Sequence, residues 1–333
     1  MEGVRLILWI PSSFIKDMKL KHLFIISLML ASCGGNQSKQ SDTNDGSDII
    51  SYAPGTRTMK RSIEDVRMLR SHEEYRDMII HFWDDFDFNA GENVVAYDTL
   101  DIIYAMCEYV AYIPADDADS LLRGLIHRAS VSRPVLQFFT TITETVLHDP
   151  NSPYRNDEYY IPVLEAILES PHLDEYERIV PTFDLEIARK NRIGQLCNNI
   201  EYTLSNGRKG WLHDIDADYT ILMFSNPGCP MCKEIMDEIS ASPIINELTE
   251  IGRIKTISIY PDEDIDTWRA YLDNMPESWI KAYDDGMKIS QEQSYNLNAI
   301  PSLYLLDNQK HVIIKDGTSV AHIEDMIAML ESI

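Results

Sequence analysis

The sequence has few basic residues for its length: 29 Lys and Arg stand against 54 Asp and Glu among 333 residues, which gives a formal net charge of -25. A protein that binds nucleic acid neutralises phosphates with clustered Lys and Arg. This balance therefore argues against a nucleic-acid partner, and it is typical of a soluble, self-repelling protein.

Cysteine is also scarce, with five residues in the chain: Cys33, Cys107, Cys197, Cys229 and Cys232. Five cysteines are too few for a disulfide scaffold in a chain of this length. Hydrophobic residues make up 44% of the sequence, so two domains of ordinary size can form buried cores without such a scaffold. Only Cys229 and Cys232 lie close together in the sequence.

A long apolar run is missing near the N-terminus. The basic segment 18–22 is followed by an apolar run at residues 23–31, which is too short for a membrane span of about 20 residues. This pattern predicts a signal peptide over residues 1–32. We expect translation to begin at Met18, because a signal peptide does not need the earlier apolar patch at residues 4–10.

The order Leu30-Ala31-Ser32-Cys33 resembles a bacterial lipobox, in which the cysteine is lipidated and becomes the new N-terminus. The resemblance implies that Cys33 carries the lipid and that the protein lies in the bacterial cell envelope, on the periplasmic side. Disulfides persist there because the cytosolic thiol pool is absent. Two alternatives remain open: an uncleaved anchor, and an ordinary Cys33 beside the cleavage site of a freely exported protein.

The rest of the chain divides into a tether and two domains. Residues 33–58 are rich in Gly, Asn, Gln, Ser and Asp, which predicts a flexible tether after the lipidated cysteine. Residues 59–194 carry apolar residues at helical spacing between proline-marked turns, which predicts an all-helical domain of about six helices. Ser71-His72-Glu73-Glu74 has the pattern of a capping box at the start of its first helix.

One helix of this domain carries an apolar stripe that we expect to be buried: Leu100, Ile103, Tyr104, Cys107 and Ala111. Cys107 is then expected to be an ordinary small buried side chain. Cys197 lies near the domain junction and is expected to be structural or incidental. A Cys107–Cys197 disulfide is the alternative.

Residues 195–333 change to an α/β pattern. Asn206-Gly207 lies between β-prone runs and is a strong signal for a hairpin. Further strands are predicted at residues 219–224, 254–260, 302–306 and 311–315. Helices are predicted from the cysteine pair to about residue 240, continuing through residues 244–248, and at residues 263–272, 279–290 and 320–330. This order predicts a mixed sheet with helices covering both faces.

Cys229-Pro230-Met231-Cys232 joins a buried strand to the start of a helix. A thiol attacks as the thiolate, and helix N-termini and this spacing favour the thiolate form. We therefore expect Cys229 to form a mixed disulfide with a partner and Cys232 to resolve it. No cofactor is predicted.

Three alternative roles for the cysteine pair are weaker. A structural zinc site needs four ligands, typically from two such pairs, and the sequence has one pair. The second alternative is a local Cys229–Cys232 disulfide with a purely structural role. A peroxidatic site usually has Thr or Ser three residues before a lone cysteine, where this chain has Asn226.

These residues resemble the thioredoxin fold, and in particular its envelope-anchored, TlpA/ResA-like branch. The resemblance rests on the cysteine pair, on the hairpin at Asn206-Gly207, and on Ile300-Pro301 followed by a strand. It implies a cis-proline at Pro301 that faces the cysteines, and an Ile300 backbone free to pair with a bound substrate strand. In the helical part, His81-Phe82-Trp83-Asp84 and the segment 148–153 resemble a domain of unknown function found ahead of thioredoxin-like domains in lipoproteins.

The sequence departs from the family pattern at two positions. Gly228 stands where many relatives have an aromatic residue, and Met223 stands where thioredoxin has a buried acid that assists proton transfer. Glu234 and Glu263 are candidate replacements for that acid. The direction of the redox reaction is left open.

The prediction is a lipid-anchored thiol–disulfide oxidoreductase of the cell envelope. Its catalytic residues would be Cys229 and Cys232, its substrate-binding residues Ile300 and Pro301, and its lipid site Cys33. Its expected partners are exported proteins with thiols or disulfides, and a membrane electron donor is a further candidate. The alternative is a non-catalytic lipoprotein that binds a partner through the helical domain and keeps the thioredoxin fold as a scaffold.

Overall fold

The computed structural model describes Arg57, residues 71–317 and residues 319–332. The predicted signal peptide, the Met18 start, Cys33 and all of the tether except Arg57 lie outside these residues. Within them, no helix combines the length and the apolar character that a membrane crossing requires. The predicted fold class is confirmed, because a helical region precedes a mixed seven-stranded sheet flanked by helices.

Six α-helices form the described part of the helical region. They are α1 (His72–Ile80), α2 (Thr99–Tyr112), α3 (Ala118–Ala129), α4 (Arg133–Leu147), α5 (Asp157–Glu169) and α6 (Ile179–Ala188). The capping box at α1 is confirmed: Ser71 Oγ accepts from the Glu74 N–H, and the Glu74 carboxylate accepts from the Ser71 N–H. These two bonds satisfy donors that a helix start otherwise leaves open.

The predicted helix is confirmed as α2, but its apolar stripe is only partly buried, with Ile103 and Cys107 packed against the core. Leu100 is 51% exposed, and Cys107 is only half-buried. The buried face of α2 is formed by the neighbouring positions Ile102, Ala105, Met106, Tyr109 and Val110. Because α2 is apolar nearly all round, its spacing alone does not tell which face meets α4.

The motif at residues 81–84 contributes to the core of the helical region. Trp83 is buried, and its ring meets those of Tyr109 and Phe139 edge to face at centroid distances of 5.6 and 5.4 Å. Edge-to-face packing of this kind is favourable beyond the area it buries. The motif therefore specifies packing between α2 and α4.

The sheet has the strand order β2-β1-β5-β4-β3-β6-β7. Its strands are β1 (Glu201–Leu204), β2 (Lys209–Trp211), β3 (Tyr219–Phe224), β4 (Ile254–Tyr260), β5 (Ile280–Tyr283), β6 (Ser302–Leu306) and β7 (Val312–Gly317). Its helices are α7 (Pro230–Ala241), α8 (Pro243–Glu250), α9 (Ile265–Tyr271), α10 (Lys288–Gln291) and α11 (Val320–Glu331). Strands β3, β4 and β5 run parallel, and the remaining pairs are antiparallel.

Alternate residues of β3 face opposite sides of the sheet. Ile221 and Met223 pack against α7 and α11, whereas Leu222 and Phe224 pack against the opposite cluster that includes Tyr295. All four side chains are fully buried, as expected for a central strand covered on both faces. This central strand carries the cysteine turn at its C-terminal end.

The helix predicted over residues 279–290 is wrong. Ile280–Tyr283 is strand β5, paired in parallel with β4 and antiparallel with β1, and only Lys288–Gln291 is α-helical. Such a short segment, Ile280-Lys281-Ala282-Tyr283, fits either a helix or a strand, and here pairing with β4 and β1 makes it a strand. The predicted continuation at residues 244–248 is a separate helix, α8, because Ser242 caps it and Pro243 occupies its first position.

The segment between the domains lies along the edge of β7. The Gly194 N–H donates to the Val312 carbonyl at 2.8 Å, and the Val312 N–H donates to the Gln195 carbonyl at 2.9 Å. Cys197 N–H donates to the Lys310 carbonyl at 3.0 Å. Cys197 is a buried thiol with its Sγ 3.6 Å from His213 Nε2, so the alternative Cys107–Cys197 disulfide is not formed in this structure.

Candidate active site

The turn after β3 places Cys229 at the N-cap of α7, with Pro230 in the first turn of the helix. Gly228 has φ +76°, a conformation that favours glycine because it lacks a β-carbon. A β-carbon built at Gly228 would meet no atom within 4 Å, so the backbone angle and not the available space accounts for the glycine. The departure at Gly228 therefore sets the path of the chain into the first cysteine.

Cys229 Sγ accepts a hydrogen bond from the Cys232 N–H at 3.2 Å. The thiol of Cys229 is half-buried, and its Sγ also lies 3.9 Å from the Ile300 carbonyl oxygen. The N-terminus of a helix carries a partial positive charge, and its free N–H groups point outward. The site thus gives Cys229 both an opening to the surface and a backbone N–H donor aimed at its sulfur.

Cys232 lies one turn further along α7 and is only 2% exposed. The pKa of its thiol is raised to about 12, mainly by burial and also by the adjacent Cys229 sulfur, whereas the backbone N–H of Asn226 opposes the shift. Burial has this effect because it disfavours the charged thiolate. Cys232 is therefore a protonated thiol at neutral pH in the reduced protein.

Ile300 and Pro301 face the cysteines from the loop before β6. Their peptide bond is cis. Pro301 is buried and Ile300 is half-buried. Ser302, the first residue of β6, pairs in register with Phe224, the last residue of β3, and this pairing brings the loop beside the cysteine turn.

Met223 occupies the position where the resemblance predicts an acid, and it is fully buried. Glu234 and Glu263 are both exposed, and neither is hydrogen-bonded to Cys229 or Cys232. The register partner of Met223 in β4 is a polar residue, Ser258, whose Oγ lies 2.7 Å from Ser225 Oγ. No carboxylate among these residues takes over the role of the missing acid.

Sequence reasoning missed Asn226 and Ser258. The backbone N–H of Asn226 lowers the pKa of Cys232, and the Asn226 side-chain amide donates to Asp262 Oδ2 at 2.6 Å. The role of Asn226 could not be predicted from the sequence, because it acts through its backbone. Ser258 could have been noticed, because it is a polar residue between Ile257 and Ile259 in a largely apolar strand.

Of the predicted site residues, the structure brings together Cys229, Cys232, Ile300 and Pro301. Cys33 lies outside the described residues. Met231, between the two cysteines, is 52% exposed, and Lys233 forms an exposed ion pair with Asp237 at 2.5 Å. An apolar side chain thus stands beside Cys229 at the surface.

Comparison with known proteins follows the same division of the chain. Residues 66–191 match a family model described as a domain of unknown function, DUF5106, and residues 216–312 match a model described as thioredoxin-like. Bovine nucleoredoxin is 25% identical over 114 residues, which are 34% of this chain and 26% of that protein. The chain therefore spans about a quarter of the length of this curated relative.

Two crystal structures from Bacteroides are similar to the chain. The C-terminal domain of an uncharacterized protein from Bacteroides fragilis NCTC 9343 is 40% identical and covers 41% of this chain and 98% of its own, with a TM-score of 0.41. A thioredoxin-like protein from Bacteroides caccae ATCC 43185 is 36% identical and covers 83% of this chain and 99% of its own, with a TM-score of 0.75. This chain therefore belongs to the thioredoxin-like family, with a DUF5106 helical domain ahead of its thioredoxin fold.

Proposed function

We propose that the protein is a lipid-anchored enzyme of the cell envelope that exchanges thiols and disulfides with exported proteins. The observation that carries this proposal is the position of Cys229 Sγ. It is half-buried at a helix N-terminus, 3.2 Å from the Cys232 N–H and 3.9 Å from the Ile300 carbonyl. A purely structural thiol does not need this combination of access, a stabilising donor and a second thiol in the next turn.

The first step is attack of the Cys229 thiolate on one sulfur of a partner disulfide. The partner's S–S bond breaks, a mixed disulfide to Cys229 forms, and the released partner thiolate takes up a proton. The exposed Met231 and the backbone beside Pro301 offer the surfaces that the partner's chain would contact.

The second step is attack of Cys232 on Cys229 Sγ. Cys232 gives up its proton, the mixed disulfide breaks, and the second partner thiol leaves in reduced form. The protein has then lost two electrons to the partner and holds a Cys229–Cys232 disulfide. Run backward, the same steps oxidise a dithiol partner, so the geometry serves both directions.

The location in the envelope rests on the sequence. The segment ending in Leu30-Ala31-Ser32-Cys33 supports lipid attachment, and an oxidising compartment supplies proteins with disulfides. Exported proteins with disulfides or thiols are the partners we propose, together with a membrane electron donor that restores the reduced pair.

Single-turnover reduction of a model peptide with one internal disulfide tests the proposal. We expect the reduced wild-type protein to release the peptide as a dithiol and the Cys229→Ser variant to release none. The Cys232→Ser variant should stop at a mixed disulfide, visible by mass spectrometry as a one-to-one adduct. In cells, the same variant should retain its natural partners covalently.

Cys197→Ser provides the matched control, because it removes another buried cysteine outside the site and should leave the reaction unchanged. Activity that survives in Cys229→Ser would contradict the proposal. An inert wild-type protein that still captures a partner through its helical domain would favour the alternative of a non-catalytic binding lipoprotein.

A further inference from the structure

A buried polar cluster joins the helical domain to the end of β7. Two ion pairs cross the boundary between the domains. The helical domain supplies the cation of one, Arg155 with Asp316, and the anion of the other, Asp157 with Lys315. Their side chains are between 6% and 11% exposed. Buried ion pairs hold geometry strongly, since removal of one partner leaves an uncompensated charge.

The helical domain holds Arg155 in a tight turn between α4 and α5, just after the segment 148–153. Ser152 Oγ donates to the Val146 carbonyl at 2.5 Å, and the Arg155 N–H donates to the Ser152 carbonyl at 3.2 Å. Asn156 then caps α5. The turn therefore presents the Arg155 guanidinium from a fixed point on the helical domain.

Asp316 connects Arg155 to the loop that faces the cysteines. One oxygen of its carboxylate is paired with Arg155, and the other accepts a hydrogen bond from Ser302 Oγ at 2.5 Å. Asp316 has φ +53°, and the pairing of β6 with β7 shifts register between Leu303 and Leu305 and again between Leu305 and Leu306. Such irregularities in a strand commonly re-aim a side chain, and here the carboxylate reaches the residue after Pro301.

The N-terminal end of the same loop is also fixed, by hydrogen bonds to the segment that joins the two domains. Asn191 Nδ2 and Asn198 Nδ2 each donate to the Ser294 carbonyl at 2.8 Å, and Tyr295 Oη donates to the Asn198 carbonyl at 2.7 Å. Residues 295–302 are thus fixed at both ends by groups that the helical domain and its linker position.

From these contacts we infer that Arg155 is a positioning residue for partner binding, acting through Asp316 and Ser302 on the Ile300–Pro301 segment. The inference rests on the proposed function and assigns the helical domain a part in it. The domain fixes the backbone that a partner strand would meet, while Cys229 and Cys232 perform the exchange. Loss of the Arg155 contact should therefore weaken partner binding and leave the chemical steps intact.

Amide hydrogen exchange in the full chain, together with kinetics on the disulfide peptide, tests the inference. We expect Arg155→Met and Ser302→Ala each to raise exchange in residues 296–304 by about tenfold, with exchange in α7 unchanged. The peptide's KM should rise by about fivefold and kcat should stay within about twofold, which is the signature of lost binding. The double variant should resemble each single variant, because both changes break the same connection.

Asp157→Asn is the matched control. It removes the second buried ion pair of the same boundary, but Lys315 keeps the Ala188 and Lys190 carbonyls as acceptors, each at 2.7 Å, and Asp316 keeps Ser302. This variant should lower overall stability, because the buried Lys315 charge loses its partner, but exchange in residues 296–304 and the peptide's KM should stay close to the wild type. An equal effect of Asp157→Asn and Arg155→Met would overturn the inference in favour of general loosening between the domains.

Unchanged exchange in residues 296–304 in both Arg155→Met and Ser302→Ala would also overturn it. If Arg155→Met does not fold, Ser302→Ala decides alone, since it removes one hydroxyl and leaves the ion pair in place. An inert wild-type protein would defeat the proposed function, and the exchange measurement would still decide whether Arg155 positions the loop.

Discussion

At the scale of single residues, the two cysteines differ because one faces the surface and the other faces the core. In the proposed exchange, Cys232 must lose its proton before it attacks Cys229, yet burial raises its pKa to about 12. At pH values below the pKa, the thiolate fraction rises about tenfold with each pH unit. The second step of the reaction should therefore accelerate steadily from pH 6 to pH 9, as measured by the decay of the mixed disulfide in rapid-quench experiments.

A buried acid in place of Met223 should make it easier for Cys232 to lose its proton. We expect Met223→Asp to speed decay of the mixed disulfide at pH 7 by about tenfold, because a carboxylate beneath the cysteines could accept the Cys232 proton. Met223→Asn is the control, since it is equally polar but does not titrate in this range. If both variants decay at the same rate, proton transfer does not limit the second step.

Gly228 should resist substitution for reasons of backbone angle. Gly228→Ala forces a β-carbon into the left-handed region and should lower the free energy of unfolding by about 1–2 kcal/mol. Gly124→Ala is the contrasting control: Gly124 lies inside α3, so alanine there should stabilise the protein by about 0.5–1 kcal/mol. Urea denaturation measures both, and a neutral Gly228→Ala would show that the turn adapts.

At the scale of elements, the sequence predicted most of the structure through local signals. The capping box at Ser71, the Asn206-Gly207 turn and the apolar strands β3 and β4 each carry their own information. Ile280–Tyr283 does not, because its strand identity comes from β4, more than twenty residues earlier in the chain. The candidate site shows the same contrast. The spacing of the two cysteines could be recognised in the sequence, whereas the Arg155–Asp316 ion pair could not, because it joins residues 161 positions apart.

Helix α5 should depend on its N-cap. Asn156 Oδ1 accepts from the Glu158 N–H at 2.9 Å and the Tyr159 N–H at 3.3 Å. Asn156→Ala should therefore lower the free energy of unfolding by about 1 kcal/mol. Asn156→Asp keeps the acceptor and should remain close to the wild type; an equal loss in both variants would show that the amide acts through another contact.

At the scale of the whole molecule, the net charge of -25 opposes compaction. Repulsion between like charges on the surface is screened by salt over a Debye length of about 10 Å at 0.1 M. We expect the melting temperature to rise by a few degrees between about 0.01 and 0.5 M NaCl and then to level off. Circular dichroism measures the melting temperature at each salt concentration. A fall in the melting temperature over this range would mean that surface ion pairs outweigh the repulsion.

The linker along β7 has a consequence for how this chain can be divided. An uncovered edge strand offers its unpaired N–H and C=O groups to any other extended chain. A fragment that starts at residue 216, where the thioredoxin-like match begins, would lose the bonds that Gly194, Gln195 and Cys197 make to residues 310–312. It would also lose β1 and β2 from the other side of the sheet. We expect such a fragment to self-associate edge to edge, whereas a fragment that begins before residue 194 keeps these bonds and a covered edge.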